Sequence, residues 1–156
     1  MRSVALKIPS IQYSALPWRR VHGELQILLV TTLNTRRWIV PKGWPIPGLS
    51  ASACAAHEAA EEAGLSGHVD SKALGSFHYE KRLKSGEPID CRVEVFAMEV
   101  LRQRRSWPEK ATRETSWCSV EEALARVREP GLRRLIARFA KSADVKMHAP
   151  EGAAAG

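Results

Sequence analysis

The segment that decides the fold is Gly43–Leu65, which reads GWPIPGLSASACAAHEAAEEAGL. It opens with a loop rich in glycine and proline over 43–48, in which no regular structure is expected. Ser50 then supplies an N-cap for a helix through the alanine-rich stretch, and Gly64 is a suitable C′ residue at which that helix ends. Because nearly all residues between the two caps are small, this helix can pack very close to a sheet or to another helix.

Three glutamates, Glu58, Glu61 and Glu62, project from one face of this helix. At about 100° per residue, Glu62 lies roughly 40° from Glu58, and Glu61 lies roughly 60° to its other side. Like charges at this spacing destabilise an isolated helix, and carboxylates near its C-terminus oppose the helix dipole. A bound cation would explain the cluster, and hard oxygen ligands suit Mg²⁺ or Mn²⁺. Taken alone, however, the glutamates favour an ordinary solvated acidic face.

The runs around this segment are mostly predicted strands. Before the helix they are Tyr13–Trp18, Leu25–Val30 and Trp38–Val40. The second of these is continuously apolar, which indicates a strand covered on both faces. After the helix, Ala73–Lys81 and Ile89–Leu101 form a predicted hairpin.

The C-terminal part combines one short strand with two helices. The strand is expected near 115–118, and Ser119 with Glu122 forms a capping box that opens a helix to about Arg128. Pro130 and Gly131 break that helix, and apolar residues over 132–139 then mark the inner face of a final helix. Strands, one early helix, more strands and late helices together predict an α/β fold, a mixed sheet with helices on both sides.

Length and charge limit the classes of protein that fit. A chain of 156 residues forms one domain, and 24 Lys and Arg against 17 Asp and Glu give a net charge of +7, so the expected partner is anionic. The longest uncharged apolar stretch of the N-terminal half, Leu25–Leu33, is far shorter than the ~20 residues of a membrane helix. No secretion signal is visible, and the spacing of Cys54, Cys91 and Cys118 fits neither a disulfide framework nor a zinc site. A reduced, cytoplasmic protein without membrane association is expected.

The spacing of the central motif carries a resemblance to a known family. Pro41-Lys42-Gly43, continued as Gly43-x5-Leu49-x7-His57-Glu58-Ala59-Ala60-Glu61-Glu62-Ala63-Gly64-Leu65, resembles the Nudix box Gly-x5-Glu-x7-Arg-Glu-U-x-Glu-Glu-x-Gly-U, where U is apolar. Five of the seven fixed polar or glycine positions match. The segments 107–109 and 113–117 resemble the C-terminal part of the diphosphoinositol-polyphosphate and diadenosine-polyphosphate branch of that family.

The resemblance implies a fold, a domain plan and a reaction. The fold is the Nudix α/β/α sandwich with a mixed sheet. The domain spans 12–142, between an N-terminal extension, 1–11, and a tail, 143–156, that is expected to be disordered. The reaction is metal-dependent hydrolysis of a diphosphate linkage in a nucleoside-diphosphate-X, a dinucleoside polyphosphate or a diphosphoinositol compound. The substrate would thus be an anionic, phosphorylated small molecule.

The resemblance also implies roles for individual residues. Glu58 and Glu62 are the first candidates for the metal, Mg²⁺ or Mn²⁺, and the main-chain carbonyl of Gly43 completes the coordination. Glu61 is the candidate base that takes a proton from the attacking water, with Glu58 as its partner in catalysis, and a ligand role at a second metal is open to it. Further candidates lie outside this group: Lys42, Arg37 and Arg113 for substrate phosphates, Glu94 and Glu109 for an assisting carboxylate, and Trp44 for stacking on a base or covering the core.

Two departures from the box keep a second function open. Leu49 stands where the box has its first glutamate, and His57 stands where it has arginine. Reduced or altered activity is therefore possible, and the alternative is a Nudix-fold module that binds a nucleotide or regulates a partner without hydrolysis. A basic nucleic-acid-binding domain fits the charge, but the chain carries no motif of the RRM, KH or zinc-finger type.

Overall fold

The computed structural model describes residues 10–147, with side chains as far as Asp144. Within this range there are eight strands and three helices. In chain order they are β1 Ser10–Val21, β2 Glu24–Thr31, β3 Trp38–Ile39, β4 Lys42–Gly43, α1 Ala51–Ala63, β5 Leu65–Val69, β6 Gly75–Arg82, β7 Pro88–Gln103, β8 Thr115–Ser119, α2 Val120–Arg126 and α3 Pro130–Met147.

The described strands form one mixed sheet in the order β3-β2-β1-β7-β5, with β4 paired to β1, β6 to β7 and β8 to β2. β1 and β7 run parallel from the pair Ser10 and Cys91 to the pair Trp18 and Glu99, and the other pairs are antiparallel. The short strand β4 has a particular consequence, because its pairing places Gly43 directly opposite Tyr13 of the central strand β1.

Helices cover the sheet and complete a single core. α1 packs on β1, β4 and β5 through Ala55, Ala59 and Ala63, which are fully buried one turn apart. α3 contacts β6, and its Phe139 ring lies 5.9 Å from the ring of Trp18 on β1. The prediction of an α/β/α sandwich with a mixed sheet is therefore confirmed.

The helix ends follow the sequence signals. The Ser50 hydroxyl accepts a hydrogen bond from the Ala53 N–H at 3.2 Å, and Gly64 ends α1 in the left-handed conformation, with φ 70°. At the start of α2, Ser119 and Glu122 form the reciprocal capping box. These caps confirm both predicted helix starts. Such caps can be predicted from sequence because each depends only on residues within four positions of the helix end.

Several predicted bounds were wrong. The strand β5 was not expected, because Gly67 and His68 interrupt any apolar pattern. β1 begins at Ser10, inside the predicted extension 1–11, and it continues through Pro17 to Val21. The loop predicted over 43–48 begins within β4, whose last residue is Gly43.

The final helix also differs from its prediction at both ends. Pro130 is the first residue of α3, a position at which a missing N–H costs nothing. The helix reaches Met147, so the predicted tail 143–156 starts too early. No glycine or proline between 132 and 147 stops the helix. Positions 148–156 of that tail, and positions 1–9 of the extension, lie outside the described residues.

The described residues contain no helix long and apolar enough to cross a membrane. Cys54, Cys91 and Cys118 are buried and form no disulfide with one another.

Candidate active site

A cleft of about 380 Å³ lies where α1, β4 and the segment after β7 meet. Three carboxylates line it, those of Glu58, Glu62 and Glu109. The cationic side chains of Lys42, Lys81 and Arg113 line it as well, so acidic and basic groups face the same space. Such a mixture suits a ligand that is itself composed of a cation and an anion.

Glycine at position 43 lets the backbone of β4 approach the carboxyl group of Glu58. A Cβ placed on Gly43 would overlap that carboxyl group and would lie 2.8 Å from its Cγ. This close approach leaves no room for a side chain at position 43, which explains in physical terms why the Nudix-like pattern has glycine here. Burial raises the pKa of Glu58, and the negative charge of Glu109 acts in the same direction.

Of the two α1 glutamates that line the cleft, Glu62 is the more deeply buried, with 3% of its surface exposed. Its Oε2 lies 3.7 Å from Nη2 of Arg113, which is the one cation paired with it among the described residues. Burial raises the pKa of Glu62 to about 8, against the lowering effect of Arg113. An additional positive charge nearby would strongly stabilise the ionised form of a carboxylate that is buried in this way.

The segment after β7 is attached to the end of α1 and brings a third carboxylate to the cleft. The indole Nε1–H of Trp107 donates to the Glu62 carbonyl at 3.1 Å, and the Glu109 N–H donates to the Glu61 carbonyl at 3.1 Å. Trp107 also packs on Gly64, where an added Cβ would overlap the indole ring. These contacts satisfy carbonyls at the helix end and place the Glu109 side chain opposite Glu58 and Glu62.

Arg113 connects the carboxylates to the sheet. Its Nε donates to Oε1 of Glu109 at 2.6 Å, and its Nη1 donates to the Thr31 carbonyl at 3.0 Å. With Oε2 of Glu62 3.7 Å from Nη2, each nitrogen of the guanidinium contacts a protein group. The predicted phosphate-binding residue thus lies in the cleft, where it first of all orients two carboxylates.

Lys42 lies on β4 beside Gly43, and its Nζ is 4.6 Å from the centre of the Tyr79 ring. Burial lowers the pKa of Lys42 to about 8, although the negative charge of Glu62 raises it. A partly desolvated ammonium in a cleft binds a phosphate oxygen more strongly than one in open solvent.

A second, basic pocket of about 380 Å³ adjoins the cleft and shares Lys42, Lys81 and Arg113 with it. Arg37 and Arg82 add two further cations, while Glu80 is the acidic residue of its lining. Arg37 lines this pocket and not the cleft, and it forms an ion pair with the buried Glu129 at 2.9 Å.

Other predicted residues lie outside the cleft. Glu61 is half-buried and does not line it, although its carbonyl binds the Glu109 N–H. Glu94 does not line it either, so Glu109 is the better placed of the two outer glutamates. His57 is exposed, and Leu49 is 44% exposed, so neither departure from the box leaves a buried gap. Trp44 lines the cleft and is 42% exposed, so it does not cover the core.

The cleft fits a divalent ion that is only partly held by protein. Among residues 10–147, no three His, Cys, Asp or Glu side chains are grouped closely enough to form a complete metal centre. Two carboxylates, Glu58 and Glu62, face the cleft beside the Gly43 backbone. Mg²⁺ commonly takes one or two protein carboxylates and fills its remaining positions with water and substrate phosphates, so this donor set suits it.

Three residues of the site were not predicted: Gln12 and Lys81, which line the cleft, and Tyr79, which contacts Lys42. Only Gln12 left a signal, as an amide between Ile11 and Tyr13. The positions of Lys81 and Tyr79 follow from the register of β6 on β7, which no local pattern specifies.

Comparison with known proteins agrees with this architecture. Nudix hydrolase 12, mitochondrial, of Arabidopsis thaliana is 29% identical over 120 residues, which are 75% of this chain and 59% of the plant protein. This chain therefore spans less than two thirds of that relative.

Two solved structures share the fold. A C. elegans Ap4A hydrolase in a binary complex has a TM-score of 0.66 at 18% identity, covering 86% of this chain and 98% of that chain. The NUDIX domain of Shewanella oneidensis NrtR complexed with ADP ribose has a TM-score of 0.65 at 14% identity, covering 86% and 90%. Residues 14–139, which include every residue of the cleft except Gln12, match the NUDIX domain, and the chain belongs to the Nudix family.

Proposed function

We propose that this protein is a metal-dependent pyrophosphohydrolase that cleaves a diphosphate linkage, with Mg²⁺ or Mn²⁺ as its cofactor. The observation that carries the proposal is the pair of carboxylates, Glu58 and Glu62, facing Lys42 across one cleft. The carboxylates can hold a cation, and the ammonium groups of Lys42 and Lys81 can hold phosphate oxygens.

The residues of the chain divide the work of hydrolysis. Glu58, Glu62 and the Gly43 carbonyl would hold the ion, which when bound polarises phosphoryl oxygens and lowers the pKa of a bound water. Lys42 binds phosphate oxygens, and Arg113 keeps Glu62 and Glu109 in place. Glu109 lines the cleft and is the best-placed acceptor for the proton of the attacking water. Glu61, the base favoured by the sequence, remains its competitor.

The basic pocket beside the cleft favours a substrate with phosphate groups beyond the two that react. Its lining carries five cations and one acidic residue, and this net positive charge favours further phosphate groups. Arg37, Arg82 and Arg113 are already ion-paired with protein carboxylates, whereas Lys42 and Lys81 form no ion pair among the described residues. A dinucleoside polyphosphate or a diphosphoinositol compound meets this demand better than a nucleoside-diphosphate-sugar. Ap4A hydrolase from C. elegans and the ADP-ribose-bound NrtR domain have nearly equal TM-scores, so fold similarity does not choose between these classes.

Trp44 is proposed to contact a planar part of the substrate, if the substrate has one. Its ring is 42% exposed at the edge of the cleft, and Nζ of Lys81 lies 5.9 Å from its centre. A base stacked on this ring would be held beside the cations that bind its phosphates. A loss of affinity for diadenosine tetraphosphate, but not for a diphosphoinositol, on Trp44→Ala would support this contact.

Hydrolysis of three compounds tests the proposal: diadenosine tetraphosphate, ADP-ribose and a diphosphoinositol pentakisphosphate, each with Mg²⁺ or with EDTA. We expect turnover that requires Mg²⁺ and that favours the first or third compound over ADP-ribose. Arg82→Ala should raise KM for the favoured compound roughly tenfold, since one charged hydrogen bond is lost. Arg92→Ala, an exposed arginine that lines neither the cleft nor the basic pocket, is the matched control and should change nothing.

The competing function is a Nudix-fold module that binds nucleotides without hydrolysis, which the replacements Leu49 and His57 favour. Binding of all three compounds with no Mg²⁺-dependent product would establish it. Cellular location is a separate proposal: the cytoplasmic location expected from the sequence competes with an organellar one, because the plant relative is named mitochondrial. Fractionation of cells that express the tagged protein separates the two.

A further inference from the structure

Tyr79 contacts two residues that line the cleft, Lys42 and Gln12, although its own side chain carries no charge. Its ring lies under the ammonium of Lys42, with 4.6 Å from Nζ to the ring centre. Its hydroxyl donates a hydrogen bond of 2.6 Å to Oε1 of Gln12. Strand β6 makes this possible, because its pairing with β7 sets Tyr79 opposite Cys91, while β1 pairs with β7 on the other side.

Gln12 is 97% buried by its neighbours, with 3% of its surface exposed, and it lines the cleft beside Gly43. Since Oε1 accepts from Tyr79, the donor end of the amide, Nε2, is left for another partner. Among the described residues Nε2 has no such partner, and it is not enclosed by protein. A buried amide with a fixed acceptor and an available donor is suited to an anionic oxygen.

We propose that Tyr79 is a positioning residue, which presents the Gln12 amide and the Lys42 ammonium together to one phosphate group of the substrate. The ring of Tyr79 orients the ammonium, and its hydroxyl fixes which end of the amide faces the cleft. This inference rests on the proposed function, because it assumes that a diphosphate occupies the cleft.

The orientation of the amide matters because its two ends have opposite effects on an anion. With the hydroxyl of Tyr79 donating to Oε1, Nε2–H points to the ligand side and attracts a phosphate oxygen. Without that hydroxyl the amide can turn, and its oxygen then repels the phosphate for part of the time. Burial raises the pKa of Tyr79, so its hydroxyl keeps its proton and acts as a donor at neutral pH.

Two substitutions separate the hydroxyl from the amide. Tyr79→Phe keeps the ring under Lys42 and removes only the hydroxyl, and Gln12→Leu removes the amide at similar volume. The probe is methylenediphosphonate with Mg²⁺, a diphosphate analogue that cannot be hydrolysed, and its binding is measured by calorimetry. We expect Tyr79→Phe to weaken binding about threefold to tenfold and Gln12→Leu roughly tenfold, because each loses one hydrogen bond.

The double variant provides the decisive measurement. If Tyr79 acts through Gln12, the hydroxyl has nothing left to orient once the amide is gone, so Tyr79→Phe/Gln12→Leu should bind as Gln12→Leu does, with no further loss of affinity. Gln12→Glu keeps an acceptor for the Tyr79 hydroxyl but replaces the free donor by an anion, and it should weaken binding more than Gln12→Leu. The control is Gln26→Leu, whose amide accepts from Nε of Arg19 on β1 and does not line the cleft.

The remaining outcomes assign failure to one proposal or the other. Unchanged affinity of Tyr79→Phe with an unchanged melting temperature, or fully additive losses in the double variant, overturns the positioning role. A wild-type protein that binds methylenediphosphonate, shows the expected variant pattern and hydrolyses nothing retains the positioning role and loses the proposed hydrolase function. A wild-type protein that does not bind the probe at all overturns this inference.

Discussion

At the scale of single residues, the carboxylates of α1 and its attached segment differ in their access to substrate. Glu58, Glu62 and Glu109 line the cleft, whereas Glu61 does not. We therefore expect Glu109→Gln to reduce turnover by ~10²–10⁴-fold, the usual contribution of a general base, and Glu61→Gln to reduce it less. Steady-state hydrolysis of the best substrate measures both, and thermal unfolding shows whether either variant is misfolded.

The exposed Glu121 on α2 supplies the matched control, since it does not line the cleft and Glu121→Gln should keep wild-type turnover. A greater loss in Glu61→Gln than in Glu109→Gln would assign the base to Glu61, as the sequence alone predicts.

Gly43, at the end of β4, and Gly48, in the loop that follows, should respond to alanine in different ways. In Gly43→Ala the new Cβ overlaps the Glu58 carboxyl group, so Mg²⁺-dependent turnover should fall by at least roughly tenfold. In Gly48→Ala the Cβ meets no atom within 4 Å, but φ is +86°, so about 1–2 kcal/mol of stability is lost and turnover is kept. Urea unfolding and Mg²⁺ titration of turnover distinguish the two. The reverse pattern would contradict the assignment of Gly43 to the site.

Residues of the site could be predicted from sequence only where their spacing is local. Glu58, Glu62, Gly43 and Lys42 lie within 21 positions of one another, and the box pattern fixes them together. Tyr79 is brought to the cleft by strand register, and register is a property of the whole sheet.

At the scale of the element, α1 depends on its small residues. Ala55, Ala59 and Ala63 are fully buried, so no space remains for a larger side chain. Ala59→Leu should destabilise the protein by about 1–3 kcal/mol through overpacking, and it should lower turnover because Glu58 is its neighbour on the helix. Ala56→Leu, on the half-exposed side of the same helix, should cost little, since leucine and alanine have similar helix propensity. Equal unfolding midpoints for the two variants would contradict this packing.

Helix ends were predictable and strand bounds were not, for a physical reason. The caps at Ser50 and Gly64 depend on hydrogen bonds within one turn. The length of β1 depends on its neighbours: the Ala15 N–H donates to the Pro41 carbonyl, away from β7, and Pro17 has the same orientation two residues later. Its missing N–H therefore does not interrupt the β1–β7 ladder, and the proline does not end the strand as its sequence signal predicts.

At the scale of the whole molecule, we expect ion binding and folding to be coupled. Two neighbouring carboxylates, one of them buried, destabilise the folded state until a cation joins them. Mg²⁺ at about 100 times its Kd should stabilise the fold by about 2.7 kcal/mol. Such a gain corresponds to a rise in Tm of roughly 5–10 °C for a domain of this size.

Differential scanning calorimetry with and without Mg²⁺ measures this rise. Glu62→Gln should abolish it, and Glu121→Gln should keep it. A rise of equal size in Glu62→Gln would show that the ion binds elsewhere on the protein.

The attachment of the segment after β7 to α1 has a consequence for recombination between relatives. Trp107 and Glu109 donate hydrogen bonds to the carbonyls of Glu62 and Glu61. These bonds fix which residue of the segment lies beside which residue of α1. A chimera that takes α1 from one parent and the segment 104–113 from another would shift Glu109 whenever the spacing of the two parents differs by even one residue. A chimera that inherits both stretches from the same parent keeps the alignment, and they are therefore expected to behave as one exchangeable cassette, although some forty residues separate them along the chain.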